Sequence, residues 1–259
     1  MQPTLGAQAG SMLYRDASGR YCASLAGYRL LSAFQPIFYK GGSLFGHEAL
    51  LRVVDEGGEW HAPDRFLAAQ APEMALEADR LARLIHVRNF AQSGQSGCLC
   101  LNLMPATVQQ DQSGRTHLPL LNNMLQSVEL DSGGVIFELP EFEVEHHGQP
   151  LLNGMRHAAE MGFGLAVDDF GALPARRDKM GELSPDIIKI DRSLLLDHMA
   201  GETSRLPALL EFGWQIGSRM LIEGIETAEQ LEAMRALGVE LYQGYYLGRP
   251  GELAVARQL

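Results

Sequence analysis

Phe163-Gly-Leu-Ala-Val-Asp-Asp-Phe-Gly171 is an apolar run that ends on two adjacent carboxylates, Asp168 and Asp169. An apolar run of this length next to turn-forming glycines reads as a buried strand. Strand side chains alternate between faces, so neighbouring acids share one face only at the strand's end, where the backbone can turn. Two carboxylates placed there repel each other and lose hydration unless a proton or a cation compensates. An isolated Asp-Asp pair also suits an ordinary strand end followed by a turn. What the other strands carry decides between a turn and a metal site.

Outward from this run the same theme repeats: about five apolar residues, then a helical pattern. The runs are Cys98 to Leu103, Val135 to Leu139, Gly164 to Asp168, Asp186 to Ile190, Met220 to Glu223 and Val239 to Tyr242. Helical spacing is expected over 72–92, 105–127, 149–161, 192–199, 204–218 and 227–237. Ahead of them, Phe34 to Tyr39 and Leu44 to Val53 are separated only by Lys40-Gly-Gly-Ser43, a turn too tight to hold a helix, so these two strands are antiparallel. Eight strands with crossover helices in 259 residues fit a closed barrel. An open Rossmann-type sheet gives a similar alternation, but no Gly-rich loop joins a strand to a helix. The fold class read here is α/β, a modified TIM-like (β/α)8 barrel with an antiparallel first strand. Residues 1–20, rich in Gly, Ser, Ala and Gln, read as a loose arm, and 21–259 as a single barrel domain.

Composition narrows the function. A formal net charge of -11 leaves no basic stripe to replace counterions along a nucleic-acid polymer. Three cysteines supply no disulfide framework, and Cys98 and Cys100, at strand spacing, read as core thiols. No stretch reaches the roughly 20 apolar residues of a membrane span, and no signal peptide opens the chain, so a cytoplasmic location is expected.

Polar residues then fall at nearly every strand end: Glu48, Asn102, Glu138, Asp168 with Asp169, Lys189, Glu223 and Gln243. In a parallel barrel the C-terminal strand ends converge on one mouth. Five carboxylates, two amides and a lysine there call for cations, and hard divalent ions such as Mg²⁺ or Mn²⁺ take oxygen ligands of this kind. Two such ions would clamp the attacking and leaving oxygens of a phosphoryl displacement, which points to phosphoester hydrolysis.

Glu48-Ala-Leu-Leu-Arg52 resembles the signature of EAL-domain cyclic-di-GMP phosphodiesterases. Gln35-Pro-Ile37, Asn102 in Leu-Asn-Leu, Glu138-Leu-Pro-Glu141, Asp168-Asp-Phe-Gly171, Lys189-Ile-Asp191, Glu223-Gly-Ile-Glu226 and Gln243-Gly-Tyr245 resemble the family's successive motifs in order. The resemblance implies that Glu48, Asn102, Glu138 and Asp168 hold one metal, with Asp168 and Asp169 near a second. It implies that Lys189 and Glu223 assist the water nucleophile, with Asp169 beside them, and that Gln35, Arg52 and Gln243 bind substrate, Arg52 through a phosphate. Glu141, Asp191 and Glu226 are implied as supporting residues. The family's usual Asp-Asp-Phe-Gly-Thr-Gly-Tyr-Ser-Ser is rewritten as Asp168-Asp-Phe-Gly-Ala-Leu-Pro-Ala-Arg-Arg177, and Pro140 stands where Thr is usual. That loop handles metal, substrate and dimer contacts in the family. Its basic residues here, Arg176, Arg177 and Lys179, suit attraction of an anionic dinucleotide or pairing with acids across a homodimer or a regulatory protein partner. Two functional readings follow: a metal-dependent phosphodiesterase cutting cyclic-di-GMP to linear pGpG, or a silent receptor for cyclic-di-GMP or a partner protein. Retention of every candidate ligand favours the enzyme.

Overall fold

The computed structural model describes residues 11–109, 118–171 and 177–255, which form two compact units. The first draws on Met1–Phe34, Ala49–Gln95 and Gly251–Leu259, the second on Gln35–Glu48 and Ser96–Pro250. Residues 1–10 of the expected arm, 110–117 of the expected helix over 105–127, and 172–176 of the rewritten loop, Arg176 included, lie outside the described residues.

The first unit is a small meander with helices. Strands β1 (Ser11–Arg15), β2 (Tyr21–Leu25) and the opening half of β3 (Tyr28–Tyr39) pair antiparallel, with Tyr14 opposite Cys22 and Ala23 opposite Leu30. The distal half of β4 (Leu44–Asp55) pairs with β5 (Trp60–His61). Residues 11–20 are therefore not a loose arm. Asp16 accepts bonds from the backbone N–H of Ser18 at 2.9 Å and of Arg20 at 3.0 Å, which closes the β1–β2 turn. Helix α1 (Pro63–Ala68) precedes α2 (Pro72–Ser93), which runs within a residue of the span expected from its spacing. Pro72 suits the first helical position, and Gly94 ends the helix at φ 65°, a conformation that disfavours a side chain. Leu81 and Ile85, four apart, join Ala23, Leu25, Leu30, Val53 and Phe66 in this unit's core.

The second unit is a closed eight-stranded barrel with helices. After the proximal half of β4 come β6 (Cys98–Asn102), α3 (Pro105–Val108), α4 (Leu118–Ser127), β7 (Val135–Pro140), α5 (Glu141–Glu160), β8 (Gly164–Phe170), α6 (Arg177–Leu183), β9 (Ile187–Ile190), α7 (Arg192–Met199), α8 (Arg205–Gln215), β10 (Arg219–Ile222), α9 (Ala228–Ala236) and β11 (Leu241–Tyr242). The strands lie in the order β4-β6-β7-β8-β9-β10-β11-β3, and the β3–β4 pairing closes the ring. Strands β6 through β11 are mutually parallel, while β11 meets β3 antiparallel, as the tight turn at Lys40–Ser43 requires. Helix α5 starts eight residues earlier than its periodicity suggests and kinks at Gly148, φ 56°, just before Pro150.

One layer of the barrel interior contains Cys100, Ile136, Ala166, Ile187, Leu221 and Leu241. Two residues further along each of these six segments stand Asn102, Glu138, Asp168, Lys189, Glu223 and Gln243. Because a strand repeats its face every two residues, the apolar layer and the polar set are successive storeys of one column. Packing of the lower storey thus positions the upper one.

Candidate active site

Lys189 is the centre of the site. It is fully buried, and its Nζ lies 2.9 Å from Glu223 Oε1, 3.0 Å from Asp168 Oδ2, 3.3 Å from Glu138 Oε2 and 3.5 Å from Glu48 Oε2. Gln243 Nε2 donates to Glu48 Oε2 at 2.7 Å, and Asn102 Nδ2 to Glu48 Oε1 at 3.3 Å. These residues come from seven strands and strand ends, and the structure brings all of them together at one mouth.

The two aspartates reach this mouth through a break in the strand. Between Val167 and Phe170 the β8–β9 register shifts, and Asp169 takes φ 56° in the left-handed region, which Asp tolerates better than most residues. Its N–H donates to Asp168 Oδ1 at 2.9 Å. The turn expected at the strand end and the shared acidic face are therefore one feature. Carboxylate oxygens of Glu48, Glu138 and Asp168 all lie within 4.8 Å of one another, and so do those of Asp168, Asp169 and Glu223. Asp168 belongs to both groups.

Charge in this cavity is unbalanced. Burial, the largest cause, raises the Glu138 carboxyl well above its ordinary range; Lys189 opposes that rise, and Glu48, Asp168 and Glu223 add to it. Burial, opposed by Lys189 and aided by Asp168 and Glu48, pushes Glu223 to about 8. Asp169 is raised by partial desolvation and by Asp168 and Asp191. For Lys189 burial acts to lower the pKa, but the four surrounding carboxylates outweigh it and hold the ammonium charged. Both oxygens of Glu138 are buried, and among the described residues none donates a hydrogen bond to them. With all five carboxylates ionised, the one ammonium would leave a charge of minus four, which two divalent cations would neutralise. An all-oxygen donor set with orphaned buried acceptors fits hard cations.

The remaining sequence candidates stand elsewhere. Glu141 is buried and accepts from the Gly171 N–H at 3.0 Å. Asp191 caps α7, accepting from Ser193 N at 2.9 Å, and Glu226 pairs with Arg192 at 2.5 Å. Thr227 and Gln230 form a capping box for α9. Gln35 donates to the Gly248 carbonyl at 3.1 Å. Arg52 lies in the first unit and donates to the Leu51 carbonyl at 3.0 Å. Lys179 Nζ reaches the Val144 carbonyl at 3.5 Å. Cys100 is buried in the barrel layer with Cys98 packed against it, as core thiols. What the motif reading missed is that Glu223 shares a carboxylate group with both aspartates and that Lys189 braces four acids at once; neither pairing has a signal in the spacing.

The family model for the EAL domain matches residues 22–250. This chain is an EAL domain. It is similar to the cyclic di-GMP phosphodiesterase PdeB of Shewanella oneidensis, 29% identical over 87% of this chain and 27% of the relative. Cyclic di-GMP phosphodiesterase PdeF of Escherichia coli is 26% identical over 85% of this chain and 30% of the relative. The EAL domain thus spans less than a third of either relative's length. Among solved structures, the Bacillus subtilis YkuI protein, with an EAL domain and in complex with substrate c-di-GMP and calcium, superposes with a TM-score of 0.74 at 24% identity, covering 88% of this chain and 57% of that one. Among the described residues of this EAL domain, no helix is long and apolar enough to cross a membrane.

Proposed function

We propose that the chain hydrolyses cyclic-di-GMP to linear pGpG with two divalent cations, Mg²⁺ or Mn²⁺. The observation that carries this reading is the pair of carboxylate groups joined through Asp168 around a single buried lysine. Glu48, Glu138 and Asp168, with the Asn102 amide alongside, would hold one ion, and Asp168, Asp169 and Glu223 the other. Bound there, the ions would polarise a phosphodiester and acidify the attacking water. The protein's own groups do the rest. Lys189 fixes Glu223 at 2.9 Å and Asp168 at 3.0 Å, so the acids cannot swing apart. Gln243 holds Glu48 from the other side at 2.7 Å. Glu223, held by Lys189 at the mouth, is proposed to assist the water nucleophile. Gln35, Arg52 and Gln243 are proposed to bind the dinucleotide, Arg52 through a phosphate. The names of the relatives support the substrate class. The protein is further proposed to work in the cytoplasm.

Incubation of purified protein with cyclic-di-GMP and Mn²⁺, with products resolved by chromatography, tests this. Linear pGpG is expected, and chelation of the metal abolishes it. Tight binding of cyclic-di-GMP with no linear product would overturn the enzyme and leave a receptor.

A further inference from the structure

Asp169 keeps a left-handed backbone without being glycine, so something beyond it must hold the chain in that course. The next two residues are gripped by α8. Phe170 is fully buried and stacks on Phe212, ring centroids 6.1 Å apart and 18° from parallel. Gly171 takes φ 88°, and a Cβ there would lie 2.8 Å from Leu209 and 2.5 Å from Leu194 of α7. Arg205 Nη2 donates to the Gly171 carbonyl at 3.3 Å, while Glu141 takes its N–H. Arg205, Leu209 and Phe212 are spaced four and three apart, one stripe of one helix face. Arg205 is itself steadied by Asp197 Oδ2 at 3.4 Å and, through its backbone N–H, by Glu202 at 3.1 Å.

We infer that Arg205 is a positioning residue: by fixing the Gly171 carbonyl from α8 it holds the turn that brings the Asp169 carboxylate to Asp168 and Glu223. Leu209 and Phe212 supply apolar contact, which fixes distance but leaves the peptide free to rotate. The Arg205 bond to the carbonyl and the Glu141 bond to the N–H together fix the orientation of the backbone on both sides of Gly171. Rotation there would carry Asp169 away from Glu223 without disturbing Glu48, Glu138 or Asp168, which stand on other strands or before the turn. The inference rests on the proposed reading of Asp169 as a ligand of the second ion.

Mn²⁺ titration followed by the electron paramagnetic resonance signal of the free ion tests it on the whole chain, with no substrate present. Wild-type protein is expected to bind two ions. Arg205→Ala should bind the first as wild type and the second about tenfold more weakly, the effect typical of removing a group that orients a ligand. Arg205→Lys, which keeps a cationic donor, should recover part of that loss, as a merely structural role would not. Arg205 has a side chain about half exposed, so the fold should survive, and melting in chelator checks this. Should the alanine variant fail to fold, Arg205→Met, which keeps the apolar stem and removes the donor, takes its place, and a methionine variant that binds the second ion as tightly as wild type overturns the inference. So does an alanine variant that binds both ions as wild type. Wild-type protein that binds fewer than two ions overturns the ligand reading itself and this inference with it.

Discussion

Two buried ionic groups in this protein obey opposite rules. In the first unit, Asp79 and Arg83 sit one turn apart on α2 and pair with each other, one acid against one base, both buried. In the barrel, one lysine pairs with four acids beside a fifth, Asp169, and both buried oxygens of Glu138 lack a hydrogen bond among the described residues. The pair balances acid with base and has an ordinary structural role. The unbalanced cluster is complete only with added positive charge. The excess of acid over base therefore separates a binding site from a structural ion pair; burial alone does not, because both are buried.

The sharpest way to break this contrast is to remove an acid from the excess. Glu48→Ala and Asp168→Ala should each lower cyclic-di-GMP turnover on the order of a thousandfold or more, while melting in chelator stays level or rises because repulsion is relieved. Near-normal turnover at low metal concentration in either variant would show that the excess has no catalytic purpose. The balanced pair should behave in the reverse way. Arg83→Met removes the base paired with the buried Asp79 and should cost about 3–5 kcal/mol in urea unfolding, and a compensating Asp79→Leu should recover much of it. A single substitution without effect would mean that the pair is not a closed unit.

The smallest expected effect concerns His86, one turn beyond Arg83 on α2. Burial first, then the nearby Arg83 and Arg52, lowers its imidazole to about 3, and it is bonded to Ser32 Oγ at 2.8 Å. The folded protein keeps this group neutral while the unfolded chain takes up a proton below about 6.5. Its stabilising contribution is thus complete above 6.5 and is lost as pH falls from there towards 3. Wild type should lose about 1.4 kcal/mol more than His86→Asn between pH 7.5 and pH 5.5, measured by urea unfolding. Equal losses would remove His86 from the account of the first unit's electrostatics.

The barrel was legible because its signals are local and repetitive. Each apolar run is followed two residues later by a polar one, so Cys100 announces Asn102 and Leu241 announces Gln243. The β1–β2 hairpin was not legible, since Ser11–Arg15 is short and polar at its ends and gains its place only by pairing with β2. The kink at Gly148 was missed because Pro150 resembles a helix start as much as a break within one. The capping bond of Asp191 and the ion pair of Glu226 could not be read either. Both lie in motifs beside true cluster members, and only the competing partners Ser193 and Arg192 draw their side chains elsewhere. Nor does any periodicity connect Arg205 with Gly171, 34 residues away.

The antiparallel meeting of β3 and β11 has a consequence for how the protein is made. Tyr39 is opposite Leu241, and Phe38 is opposite Tyr242, so the seam of the barrel joins segments about 200 residues apart in the chain. At roughly 5–20 residues per second, a ribosome needs on the order of ten seconds or more to add the second side of that seam after the first. During this interval the opening hairpin and the parallel strands that follow present unpaired edges, and long-range closure of this kind is intrinsically slow. The nascent chain is therefore exposed to misassembly at its first and last strands, and that is where a chaperone would find it.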